Sequence, residues 1–186
     1  MLPDLMRTRI PALALCLLTA VVLAGALTAC GDNGSEESLV AEGEPIQISD
    51  LEYNVQITRF LNPDDTEDKE YLVGMPPPPP GKEYLGVFMV ITNKTDDERP
   101  SATNFVVNDT LDNEYDFIES ESPYALDVGS EVPAMGQLPN VDSTAGTGPN
   151  QGSLLIFLVD DSVSDNRPLE LEIQTFAGDG KVTLDI

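Results

Sequence analysis

Apolar residues after position 45 recur with a period of two, and this constrains the chain more than any other feature of its sequence. Leu51, Tyr53, Val55 and Ile57 alternate with Glu52, Asn54, Gln56 and Thr58. A strand sends successive side chains to opposite faces, so this spacing predicts one apolar and one wet face. Leu169, Leu171 and Ile173 against Glu170, Glu172 and Gln174 repeat the pattern. Asp179-Gly180, followed by Val182, Leu184 and Ile186, then reads as the turn and return strand of a C-terminal hairpin. Two segments, Tyr84 to Ile91 and Leu154 to Val159, are apolar on both faces, which predicts central strands. Shorter strands are expected at Ile46–Ile48, Phe105–Val107 and Tyr115–Ile118, the last two joined around Asp112-Asn113. No segment beyond the N-terminal run carries a helical stripe. About seven short strands with polar turns predict an all-β fold, an antiparallel sandwich over residues 45–186.

The N-terminus carries an address. Arg7 and Arg9 precede an uncharged apolar run from Ile10 to Thr28 that closes on small residues and Cys30. This is the layout of a signal peptide. A bilayer-spanning helix also needs about 20 apolar residues, so the end of the run has to decide. Leu27-Thr28-Ala29-Cys30 resembles the bacterial lipobox. The resemblance implies a leader over residues 1–29, diacylglycerol with palmitate-type chains joined to the Cys30 thiol, and cleavage before that residue. The membrane is then a partner, and the domain stands on its extracytoplasmic face. Residues 31–44, GDNGSEESLVAEGE, are small, polar and acidic, and are expected to form with Cys30 a flexible tether, on the order of 20 Å long.

Composition narrows the chemistry. Of two cysteines, Cys16 lies in the leader, so the mature chain has no disulfide and depends on its own core. After loss of Arg7, Arg9 and Asp4 the mature chain keeps 7 basic and 32 acidic residues, a net −25. Such a surface repels nucleic acid, whose binding rests on Lys and Arg at phosphates, and repels anionic head groups. There is no histidine, and the one mature cysteine is taken by lipid. Ser-His-Asp and Cys-His systems, ordinary zinc sites and histidine-ligated haem are therefore closed to it. Two carboxylates can serve a glycosidase, but pairs arise by chance among so many acids, and the chain has no Trp to stack on sugar. The expectation is a non-enzyme with no catalytic residues, no cofactor and no assigned metal site. The alternative is a lipoprotein that binds a small ligand or a divalent cation, with calcium taken at Asp64, Asp65, Glu67 and Asp68 or at Asp160, Asp161 and Asp165. Neither cluster fits an EF-hand loop. Asn93-Lys94-Thr95 and Asn108-Asp109-Thr110 match the glycosylation pattern incidentally.

Three stretches carry a family resemblance. Glu83 through Asn93 (EYLGVFMVITN) is similar to the long strand ending in Asn of the telokin-like, immunoglobulin-fold domain of unknown function found in bacterial lipoproteins and mycobacterial secreted antigens. Phe105-Val106-Val107 through Asp112-Asn113-Glu114-Tyr115 resembles its next hairpin, with Asn113 where a turn glycine is common. Gly152 through Val159 resembles its late strand, with Asp160-Asp161 where proline is frequent. The resemblance implies an immunoglobulin-like fold and an extracellular address, not a reaction.

Two segments interrupt the strand rhythm. Pro76–Pro80 form an extended rod of roughly 15 Å. Residues Glu121 to Gly152, rich in Pro and Gly, read as one long connection. An envelope protein partner is therefore expected at Met75, Pro76, Pro80, Met135 and Leu138, which combine apolar groups with freedom from the ladder. On the same reading, shortening Val132–Gly148 leaves the fold intact.

Overall fold

The strands expected from the period of two are all present in the computed structural model, which describes residues 38–186. The leader, the lipobox residues Leu27, Thr28 and Ala29, and Cys30 lie outside the described residues. The described residues form twelve strands: β1 (Ser38–Ala41), β2 (Ile46–Ile48), β3 (Leu51–Leu61), β4 (Lys82–Asn93), β5 (Arg99–Pro100), β6 (Asn104–Asn108), β7 (Glu114–Ile118), β8 (Glu131–Val132), β9 (Gln137–Leu138), β10 (Ser153–Asp160), β11 (Leu169–Thr175) and β12 (Gly178–Leu184). The number exceeds seven chiefly because β1, β5, β8 and β9 are too short to display a period.

The strands follow the order β1-β12-β11-β6-β7-β10-β4-β3-β2, with β9 on β4 and β5 paired to β8 apart from the rest. β7 turns the corner. Its Tyr115 and Asp116 pair with Val107 and Val106 of β6, whereas Phe117 and Ile118 pair with Phe157 and Ile156 of β10. One sheet thereby becomes two facing layers, β1-β12-β11-β6 and β10-β4-β3-β2. Between them Tyr53, Leu85, Val87, Phe105, Phe157 and Ile173 are buried in a single cluster.

The outer face of β4 and β10 is covered as well, which explains why both strands are apolar on two sides. Tyr84, Phe88, Leu154 and Ile156 point away from the main core and pack under Tyr71, Leu72, Tyr124 and Ala145. Tyr124 and Ala145 come from the long connection between 121 and 152, and Tyr71 and Leu72 from the residues that precede the proline rod. Tyr71 meets Phe88 edge-on at 5.1 Å and Tyr124 at 4.7 Å, contacts worth about 0.5–1.5 kcal/mol each beyond their buried area. The stretch from 121 to 152 is therefore structural. It contains β8, β9 and a short helix, α1 (Thr144–Thr147), whose Ser143 hydroxyl accepts the Gly146 N–H. Gly152 follows with φ +121°, and an added Cβ would stand 2.7 Å from the Met89 nitrogen, so only glycine lets the chain re-enter β10 here.

Three local expectations are corrected. A bulge between Val55 and Ile57 pairs Ile57 with Phe88 and swings it to the outer face, so it does not continue the Leu51-Tyr53-Val55 row. The C-terminal hairpin turns at Phe176-Ala177, not at Asp179-Gly180. Gly180 lies within β12 opposite Ile173, where an added Cβ would meet Ile46 at 2.6 Å; glycine there serves close packing. Ser38–Ala41, expected to lie in the flexible tether, instead form a strand. β1 pairs in parallel with the edge of β12, Val40 packs on the core, and the Glu42 carboxylate accepts the N–H groups of Thr58 and Asp185. Leu39-Val40 is too brief an apolar run to announce a strand.

Candidate functional site

The residues expected to meet a partner are held at two separate places. Met75 is half-buried against the outer cluster, and the Pro76 carbonyl accepts the Tyr84 hydroxyl at 2.7 Å, which ties the exposed Pro76–Pro80 rod to the start of β4. Met135 is 70 % exposed, whereas Leu138 pairs with Ile91 near the end of β4 and packs on the main core. Tyr84 and Ile91 are about 23 Å apart along the strand, so the two stretches form no common surface.

The acidic clusters are divided among internal donors. Asp68 is buried, pairs with the Arg59 guanidinium and accepts the Asn62 N–H at 2.8 Å. Asp65 accepts the Glu67 N–H. Asp160 pairs with Lys82 at 2.7 Å and takes the Tyr115 hydroxyl at 3.2 Å. Among the described residues no three acidic side chains gather in a metal-holding arrangement. Asn93 is buried and donates to the carbonyls of Asp97 and Val132, so its sequence motif is structural.

The most elaborate polar network ties the β6–β7 turn to the other layer. Asp109 accepts the N–H groups of Leu111 and Asn113 at 2.8 and 3.0 Å and the side-chain amides of Asn113 and Asn166 at 2.8 and 3.2 Å. Burial pushes its carboxyl pKa up, but these four donors together hold it below the usual carboxylate range. The Tyr115 phenol, between Asp109 and Asp160, is pushed up to about 12 by burial and then by both carboxylates. A depressed folded-state pKa contributes stability that is present above the ordinary value, about 3.9, and is lost as pH falls through the folded value. D109N is accordingly expected to melt below the wild type at pH 7, with the gap closing on acidification below about pH 4. Paired thermal melts across pH measure this.

A different arrangement occupies the opposite end of the sandwich. Phe176, in the β11–β12 turn, is 95 % exposed. It borders a groove of about 230 Å³ lined by Ile48, Leu51, Tyr53, Pro100 and Ala177, with Asp50 and Arg99 paired at 2.8 Å on the lining. Tyr53 accepts the Ala102 N–H at 2.8 Å; burial pushes its phenol up to about 12, partly offset by that bond. Ser101, 4 % exposed, lines the groove, and its hydroxyl has no hydrogen-bond partner among the described residues. A larger concavity of about 440 Å³ beside β7 is lined by Glu119, Glu121 and Asp127 without a basic side chain. The Phe176 groove was missed in the sequence, although an aromatic residue beside a hairpin turn is its visible sign.

No family model matches the chain, and no curated protein matches it. Solved structures define its class as a β-sandwich. The secreted protein MPT63 from Mycobacterium tuberculosis is similar with a TM-score of 0.51 at 10% identity, over 80% of this chain and 98% of that one. The yjhA protein from Bacillus subtilis is similar with a TM-score of 0.50 at 12% identity, over 80% and 99%. An uncharacterized β-sandwich protein from Clostridium difficile 630 gives 0.49 at 16% identity, over 80% and 95%. At such identities the likeness is one of fold. Among the described residues no helix is long and apolar enough to cross a membrane.

Proposed function

We propose that this chain is a lipid-anchored extracytoplasmic lipoprotein whose immunoglobulin-like sandwich binds or scaffolds an envelope partner without catalysis. The observation that supports the binding role best is the groove beside Phe176. Its lining is mostly apolar, its one carboxylate, Asp50, is paired with Arg99, and a large aromatic side chain stands exposed at its edge. The address rests on the lipobox at Leu27 to Cys30 and accords with a secreted protein of the same fold. The acidic residues act as a solvating surface, with Asp68, Asp109 and Asp160 as internal ties. Calorimetric titration with calcium at matched ionic strength is expected to give no saturable heat. A saturable, calcium-specific binding curve accompanied by a rise in Tm would move the assignment to cation binding.

A further inference from the structure

The five prolines before β4 stand at the opposite end of the sandwich from the Phe176 groove. They lead into β4 where Leu61 pairs with Tyr84, whereas the groove lies where Leu51 pairs with Asn93, about 33 Å away along β3. Proline fixes φ near −65° and biases the residue before it to extended backbone, so the run adopts polyproline II, a helix of three residues per turn. Exposure follows that period: Met75 and Pro78 are half-buried, whereas Pro76, Pro77, Pro79 and Pro80 are exposed. One edge of the rod therefore rests on the domain, and two edges, Pro76/Pro79 and Pro77/Pro80, stand in solvent. The rod is pinned at both ends, since the Tyr84 hydroxyl donates to the Pro76 carbonyl at 2.7 Å and the Lys82 N–H to the Pro79 carbonyl at 3.0 Å. The turn over residues 62–70 borders it, with Pro63 and Lys69 joining Met75, Pro76 and Pro77 around a hollow of about 240 Å³.

We infer that the Pro76–Pro80 rod is a second docking surface, read by a partner protein whose groove is lined by aromatic side chains and rimmed by Lys or Arg. It depends neither on the groove beside Phe176 nor on the lipid anchor. Flat rings take the proline edges of an exposed polyproline II helix, and a rod already ordered loses little entropy on binding. The basic rim follows from charge, because the bordering turn exposes Asp64, Asp65, Glu67 and Glu70 against one cation, Lys69. A second copy of this chain supplies neither feature. It is itself strongly acidic, and Phe176 is the only exposed aromatic ring among the described residues.

The chain contains no Trp, so the tryptophan emission of an added domain reports on that domain alone. The probe is an isolated WW domain, an aromatic-grooved reader of proline rods, in two forms that differ only in carrying a basic or an acidic rim. Each is titrated with the full-length protein in nonionic detergent. The basic-rimmed form is expected to bind saturably and about ten-fold tighter than the acidic-rimmed form at low salt, with the gap closing near 1 M salt, where the Debye length is about 3 Å. The double variants P76A/P79A and P77A/P80A are each expected to weaken that binding about ten-fold at unchanged Tm, the scale of losing a central contact. The rim comparison needs no substitution, so it stands whatever the variants do to folding. Absence of saturable binding, equal binding of both forms, or binding indifferent to the four prolines at unchanged Tm overturns the docking surface. Self-association of the full-length protein that P77A/P80A abolishes in sedimentation assigns the rod to a second copy and also overturns it.

Discussion

Replacing Val132–Gly148 by a short Gly-Ser link is expected to abolish cooperative folding. Read as a sequence, this stretch is a dispensable connection; in the fold it roofs one sheet. Val132 and Ala145 are fully or nearly buried, and Leu138 pairs with Ile91 of β4. The Val132 carbonyl takes one of the two hydrogen bonds of the buried Asn93 amide. Removing the segment opens Leu154 and Tyr124 to water and strands that amide, and each large core truncation alone costs about 2–5 kcal/mol. Several such losses exhaust the 5–15 kcal/mol by which a domain of this kind is held. Thermal melts by circular dichroism test it. A shortened protein that melts cooperatively within a few degrees of the wild type would show that the roof is dispensable.

Cys30→Ala has an all-or-none effect of another kind. If the thiol is the diacylglyceryl acceptor, alanine leaves no nucleophile to receive lipid and no site for lipoprotein cleavage. The protein is then expected to keep its leader and to carry no lipid on residue 30. Two acyl chains hold a protein firmly, whereas one gives only marginal, reversible binding. Phase partition with a nonionic detergent, together with intact mass, checks this. A C30A protein processed and partitioned like the wild type would show that the leader ends elsewhere.

The legibility of the fold follows from how each element is specified. Strands with one wet face, such as β11 with Glu170 and Glu172 turned outward, were plain in the sequence because burial on one side imposes alternation. β4 and β10 were equally plain as doubly covered strands, but what covers them was not. Tyr71, Tyr124 and Ala145 are scattered among prolines, glycines and acids, and only tertiary packing gathers them. The bulge at Gln56 and the turn at Phe176-Ala177 were hidden because register depends on pairing partners rather than on local composition. The acidic clusters looked interchangeable in sequence, yet Asp68 is buried against Arg59 while Asp64 and Asp65 are exposed. The groove beside Phe176 joins positions 48, 99 and 176, and no local pattern links residues so far apart.

The central claim is that this sandwich is held at a membrane by lipid on Cys30, and the mass of the mature N-terminal peptide from its own host tests it most directly. The expected spectrum shows a chain beginning at Cys30 and carrying diacylglyceryl mass on the thiol. A mature chain that starts at another residue, or an unmodified Cys30, would contradict it.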